Sequence, residues 1–238
     1  MAVNLISYFK MIAIIAARGG SRGLKNKNIL KLGNKPIIAH SITSALKSKY
    51  ISKVIVSTDS KTIAKISKKY GAEVPFMRPK KLSGYNASIL DAFKHAIDFY
   101  TNRGENYKSF VSLGASCPLK NTKDIDNSIN LFYKKRALTL ISVKETEKPV
   151  DWLLSKDKNN KLERFLKKSK FVNRQNYRNY YIPNGSIYVF NTKKLIDNIN
   201  KNQDYFNKRT YCYVMPKERS VDIDDLTDLK LAKFYYKK

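Results

Sequence analysis

The chain has 238 residues, 42% of them hydrophobic, and carries 47 Lys and Arg against 19 Asp and Glu, a net charge of +28. That apolar share excludes a disordered chain, and the length suits one sizeable core. Two cysteines without a CxxC pair exclude a disulfide scaffold and a structural zinc site, and no apolar run approaches the roughly 20 residues that cross a bilayer. The charge excess points to a polyanionic partner: nucleic acid, an anionic membrane surface or a phosphate-bearing substrate. Solvated lysines on helix faces account for much of it.

Residues 1–10 (MAVNLISYFK) read as an N-terminal extension, with no small-residue cleavage site of a secretory signal. Residues 11–17 form a short continuous apolar run, the pattern of a fully buried strand. The loop that follows, Ala16 to Asn28 (AARGGSRGLKNKN), holds three glycines and four cations. In an open α/β sheet, ligands bind beyond the carboxyl ends of the strands. Glycines there let backbone N–H groups approach an anion, and Arg and Lys neutralise it. Two common nucleotide loops are excluded. G-x-x-x-x-G-K-[ST] is absent, and Gly19-Gly20-Ser21-Arg22-Gly23 has the wrong spacing for G-x-G-x-x-G. No acid stands about 20 residues on, where a dinucleotide fold needs one. A polyphosphate is the ligand this loop suits.

Residues 36–48 carry apolar positions at helical spacing with Pro36 at the start. Strand 53–58 ends at Asp59-Ser60, a helix N-cap region, and helix 61–70 closes at Gly71. An amphipathic helix over 86–100, a strand over 109–113, a helix over 122–136 and a strand over 138–143 continue the alternation. Such alternation implies βαβ units and a mostly parallel sheet. The rhythm breaks over 144–182, a polar, Lys- and Asn-rich stretch that reads as a lid or interaction arm. It resumes with strand 186–190, a helix near 192–199, strand 210–215 and a terminal helix from about 225. Residues 11–238 thus form one domain with an excursion. Cys117 and Cys212, each in an apolar run, are expected to be buried free thiols, and with the missing signal they place the chain in the cytoplasm.

Near the C-terminus stands Arg219-Ser220-Val221-Asp222-Ile223-Asp224-Asp225. In extended backbone Asp222 and Asp224 share a side while Ile223 points the other way. Two hard oxygen ligands suit Mg²⁺ held with substrate phosphates. They equally suit the N-cap of the terminal helix. Spacing alone does not separate these readings, but the poverty of acids and the polyphosphate loop favour the metal. His40 and His95 fall in helices and read as structural.

Five segments, IIAARGGSRGLKNKN (14–28), VIVSTDS (54–60), YGAEVPFMRP (70–79), PNGSIYVF (183–190) and PKERSVDID (216–224), occur together in this order. With them the chain resembles the acylneuraminate cytidylyltransferases, the CMP-sialic acid synthetases and relatives that activate other nonulosonic acids. The resemblance runs from Ile12 to about Lys233. It implies a three-layer, Rossmann-like α/β nucleotidyltransferase fold and a homodimer formed through the excursion. It implies Mg²⁺-dependent transfer of CMP from CTP to a nonulosonic sugar acid, with release of pyrophosphate. By the family pattern the nucleotide would be held by Ala16, Ala17, Arg18, Gly19, Ser21, Arg22, Lys27 and Asn28, with Arg78 and Ala87 near the cytosine. Asp222 and Asp224 would hold the metal, and with Arg18 and Lys27 they form the expected catalytic set. Arg174, Asn184 and Tyr188 would lie on the sugar side.

The chain departs from the family pattern at Gly114, where many members carry a Gln that reaches the sugar. It departs also at Tyr85, Asn86, Ile89, Lys120 and Ile182. Most of these changes fall on the sugar half, so the expectation is retained CTP chemistry with an altered sugar of legionaminic or pseudaminic type. A cytidylyltransferase for another 2-keto acid such as 3-deoxy-octulosonate is the nearest alternative. A basic nucleic-acid-binding protein is the alternative of another class, and it lacks any recognisable RNA- or DNA-binding signature.

Overall fold

The computed structural model describes residues 11–20, 23–166 and 179–237. A six-stranded sheet has the order β10 (Thr210–Val214), β6 (Thr139–Glu145), β9 (Tyr181–Asn191), β5 (Ser109–Leu113), β1 (Met11–Ala16), β4 (Ile51–Ser57). Strand β1 pairs parallel with β4 and β5. Between β1 and β4 come the short hairpin strands β2 (Lys31–Leu32) and β3 (Lys35–Pro36) and helix α1 (Ile37–Leu46). Strands β6 and β10 are also parallel, while β9 runs antiparallel between β5 and β6.

Side chains alternate across the pleat, so β1 feeds two cores. Ala13 and Ile15 pack with Ile38 and Ile42 of α1 and with Ile125, Ile129 and Phe132 of α4 (Thr122–Lys134). Ile12 and Ile14 pack on the other face with Phe93 and Ile97 of α3 (Ile89–Thr101) and Leu195 of α5 (Thr192–Asn200). Burial on both faces is why the strand reads as one unbroken apolar run. The result is the expected three-layer α/β arrangement. A third, smaller cluster joins Leu32 and Ile37 to Val221, Ile223 and to Leu229 and Ala232 of the terminal helix α6 (Leu226–Tyr236). It anchors the segment that carries Asp222 and Asp224.

Several elements differ from the sequence expectation. Helix α1 begins at Ile37, with Pro36 in the N-cap position, because that residue also pairs in the hairpin. Helix α3 begins at Ile89. Ser88 caps it by accepting from the Leu90 N–H at 3.1 Å, and residues 86–88 become loop. Helix α2 (Lys61–Lys69) starts where expected, with the Ser60 side chain accepting from the Ile63 N–H.

Strand β9 begins at Tyr181, five residues before the expected start. Its pairing with β6 shifts register between Ile141 and Val143, and Gly185 supplies the positive φ of 70° at that irregularity. Within 144–166 the chain forms a helical turn at Val150–Trp152 and an antiparallel hairpin of β7 (Leu154–Lys156) and β8 (Leu162–Arg164). Cys117 is buried as expected. Cys212 is exposed, because β10 is the edge strand of the sheet. Among the described residues no helix is long and apolar enough to cross a membrane.

Candidate active site

The site lies where β1, β5 and β9 meet the 222–224 segment. After β1 the Ala17 N–H is tied to the Ser57 carbonyl, and the Gly19 N–H donates to Asp59 Oδ1 at 2.8 Å. A Cβ at Gly19 would stand 3.1 Å from the Ser60 Cβ, so the glycine lets the loop pass the end of β4. Further on, a Cβ at Gly23 would collide with the carbonyl of Asp224. The cationic loop therefore touches the acidic segment backbone to backbone. Lys27 completes that contact, its Nζ lying 2.7 Å from Asp224 Oδ1. Arg18 reaches the other way and donates to the Gly84 carbonyl at 3.1 Å.

The N-cap of α6 falls to Asp225, just beyond the Asp222/Asp224 pair. Asp225 and Asp228 form a reciprocal capping box on α6, and the Asp224 N–H also donates to Asp228. The cap is complete without the carboxylates of Asp222 and Asp224, and both of these line one cavity. Ile223 between them is fully buried, and its N–H donates to the Ser116 carbonyl at 2.9 Å. Ser116 Oγ donates to Asp222 Oδ1 at 2.6 Å. Upstream, Arg219 holds the buried Asp124 at the N-terminus of α4 through two bonds of 2.8 and 3.0 Å. These contacts fix the acidic segment from both sides.

The cavity measures about 400 Å³. Its polar lining includes Arg18, Lys27, Asn28, Asp222 and Asp224, and its aromatic and aliphatic lining includes Ile89, Phe93, Tyr188, Phe190 and Tyr205. Tyr188 and Phe190 stack nearly parallel, and the Tyr205 ring meets both edge-on. Burial pushes the Tyr188 phenol above its ordinary pKa, so it stays protonated and can donate. A recess of about 300 Å³ opens beside the cavity across Arg18 and Ile89, lined by Arg78, Gly84, Tyr85, Ala87 and Ser88 among others. Arg78 is buried there, with Nε on Ser57 Oγ at 3.1 Å and a second bond to the Ser57 carbonyl.

The structure brings together Ala16, Arg18, Lys27, Asn28, Tyr188, Asp222 and Asp224 on the cavity, and Arg78 and Ala87 on the recess. Ala17 is buried beneath the loop, and Gly19 faces a small neighbouring hollow with Asn26 and Ser60. Asn184 lies behind the cavity wall. Its amide accepts from Ser142 Oγ and the Ser186 N–H and donates to Ser220 Oγ and Met215 Sδ, which leaves it turned inward. Ser21, Arg22 and Arg174 lie outside the described residues. His40 bonds the Leu32 carbonyl and His95 packs on Phe76; neither lines the cavity.

Sequence reasoning missed Phe93, Ser116, Gly185 and Tyr205, which line the cavity, and Asp59, which tethers the loop. Gly114 and Gly185 form a tight pair in the floor. A Cβ at Gly114 would collide with the Gly185 carbonyl, and one at Gly185 would stand 2.6 Å from Asp222 Oδ2. The missing Gln thus reflects a floor with no room for a side chain.

The family model described as Cytidylyltransferase matches residues 12–238. The N-acylneuraminate cytidylyltransferase of Escherichia coli O18:K1:H7 is 36% identical over 94% of this chain, which spans about half of that relative's length. The pseudaminic acid cytidylyltransferase of Campylobacter jejuni 81-176 is 31% identical over 96% of this chain and 97% of its own. The CMP-N,N'-diacetyllegionaminic acid synthase of C. jejuni NCTC 11168 is 33% identical over 94% of each. A solved structure of CMP:2-keto-3-deoxy-manno-octonic acid synthetase complexed with CTP superposes with a TM-score of 0.69 over 94% of this chain and 97% of its own. At 15% identity it speaks for the fold.

Proposed function

The chain belongs to the cytidylyltransferase family, and on that premise we propose that it transfers CMP from CTP to the anomeric hydroxyl of a nonulosonic sugar acid. The observation that carries this reading is the single cavity shared by the cationic loop and the Asp222/Asp224 pair, joined by the 2.7 Å contact between Lys27 and Asp224. The recess at Arg78 and Ala87 takes the nucleoside, the loop takes the triphosphate, and the aromatic lining around Tyr188 takes the sugar.

The chemistry asks for position and charge more than for covalent catalysis. Arg18 and Lys27 neutralise phosphate oxygens. The anomeric oxygen attacks the α-phosphorus, the bond to the β-phosphate oxygen breaks, and pyrophosphate leaves. Asp222 and Asp224 are the carboxylates among the described cavity residues, so one of them takes the hydroxyl proton. Two hard oxygen donors left free of cap duty also fit Mg²⁺. They would hold the ion, which when bound neutralises charge on the phosphates.

The sugar wall is mostly aromatic and aliphatic, with the Tyr188 and Tyr205 hydroxyls as its polar groups, and the floor at Gly114 offers no side-chain amide. That combination favours a deoxygenated, acylated sugar acid by a modest margin, because a wall without dedicated polar partners gains from added methyl groups but rejects an added hydroxyl only weakly. We extend the proposal to a cytoplasmic homodimer. The arm exposes Leu153, Leu154, Leu162 and Phe165 beside a groove of about 630 Å³ lined partly by Val150, Ile182, Leu231 and Tyr235. Asp222→Asn and Asp224→Asn test the metal role. Each is expected to lower turnover at least 100-fold and weaken Mg²⁺ activation, and normal Mg²⁺-dependent turnover in both would refute it.

A further inference from the structure

Lys120 is 2% exposed in a chain whose lysines otherwise mostly face solvent. Its Nζ donates to Ser41 Oγ at 2.8 Å, to the Gly114 carbonyl at 2.7 Å and to the Cys117 carbonyl at 2.6 Å. An ammonium has three N–H donors, and all three are engaged. None remains for a substrate, and Lys120 lines neither the cavity nor the recess.

The two carbonyls it gathers bracket the turn that carries Ser116. On its other side that turn meets the acidic segment through Ser116 Oγ to Asp222 and Ile223 N–H to the Ser116 carbonyl. An apolar residue of similar length would fill the space without the desolvation cost of a buried cation. What only the cation supplies is a common centre for carbonyls that would otherwise repel one another.

We propose that Lys120 is a positioning residue, which closes the 114–117 turn from beneath so that Ser116 holds Asp222 in its reactive orientation. The proposal rests on the cytidylyl-transfer reading. Lys120 acts through the turn and through Ser116 and does not touch substrate. Ser41 on α1 belongs to the same device, since its hydroxyl accepts from Lys120 and donates to the Gly114 carbonyl at 2.8 Å.

The test compares Lys120→Met, Lys120→Arg and Ser116→Ala in a Cys212→Ser background. Turnover is read with CTP and a sugar acid, and Cys117, fully buried beside the turn, is read with a thiol reagent under native conditions. Lys120→Met should lower kcat 30- to 100-fold, leave the KM for CTP within threefold, and open Cys117 to the reagent. Lys120→Arg keeps a buried cation and should recover kcat to within tenfold of the unsubstituted protein. Ser116→Ala should reproduce the kcat loss while Cys117 stays protected. Lys120→Met with unchanged kcat overturns the proposal, as does Lys120→Arg impaired equally with Lys120→Met. If Lys120→Met does not fold, Ser116→Ala decides, and native kcat in that variant breaks the relay. Should the unsubstituted protein release no pyrophosphate from CTP with any sugar acid, the functional reading fails. The Cys117 readout then decides alone whether Lys120 holds the turn.

Discussion

Gly185→Ala isolates the geometry of Asp222 better than any change to Asp222 itself. Gly185 has φ of 70°, a backbone state that costs an alanine about 1–2 kcal/mol. Its new Cβ would also stand 2.6 Å from Asp222 Oδ2, where ordinary contact begins near 3.4 Å. The carboxylate must therefore shift by about 0.8 Å or turn aside, which lengthens or misaligns the 2.6 Å bond from Ser116 Oγ to its other oxygen. Misplacement by about 1 Å can cost on the order of 100-fold in rate, so kcat/KM should fall roughly 30- to 100-fold. Gly104→Ala is the control. Gly104 has φ of 80°, a Cβ added there would meet nothing within 4 Å, and the residue does not line the cavity. Both variants should lose a few degrees of Tm, at roughly 2–4 °C per kcal/mol for a chain of this length. Only Gly185→Ala should lose activity. The assay is steady-state pyrophosphate release beside thermal unfolding, and Gly185→Ala turning over within threefold of the native rate would show that the position of Asp222 does not limit catalysis.

Lys27→Met should cost at most about 1 kcal/mol of stability, because the pair it makes with Asp224 is solvent-exposed on the carboxylate side. Its kcat/KM for CTP should nonetheless fall at least 100-fold, and equal losses in Tm and activity would count against a phosphate-binding role. Gly114→Gln should lose activity with every sugar acid and gain none with N-acetylneuraminate, since its Cβ collides with the Gly185 carbonyl; a gain would show that the floor can open. Burial lowers the Lys120 pKa from the ordinary 10.5 to about 8. The unfolded chain then binds more protons between about pH 8 and 10.5, so this group makes stability rise with pH across that window, and its full penalty stands below it. Lys120→Met should flatten the urea midpoint against pH between 8 and 10, and an unchanged slope would contradict the assignment.

Strands that are buried on both faces announce themselves, and β1, β4, β5 and β6 were legible as short apolar runs. The direction of β9 was not, because antiparallel insertion depends on which neighbours it meets. Its early start was hidden too, since Pro183 and Gly185 interrupt the apolar run that marks 186–190, and only the register shift against β6 accommodates them. The exposure of Cys212 follows from the edge position of β10, a tertiary fact. At the site, Arg18, Lys27, Asp222 and Asp224 could be read because glycine-cation loops and alternating acids have a local logic. Spacing alone could not divide the acids between cap and cavity; the capping box of Asp225 and Asp228 does. Lys120 carried no compositional signal in so lysine-rich a chain, and Tyr205 sits in a polar loop with no periodicity. Asn184 has the right neighbourhood and the wrong direction, because Ser142 and Ser220 claim its amide.

Cytidylyl transfer to a nonulosonic acid is decided by pyrophosphate release from the purified chain with CTP and Mg²⁺ across a panel of sugar acids. The panel includes N-acetylneuraminate, 3-deoxy-octulosonate, and pseudaminic and legionaminic acids. CTP-dependent release with formation of the CMP-sugar is expected, highest with the deoxygenated, diacylated acids. A well-folded protein that releases no pyrophosphate with any member of the panel would contradict cytidylyl transfer.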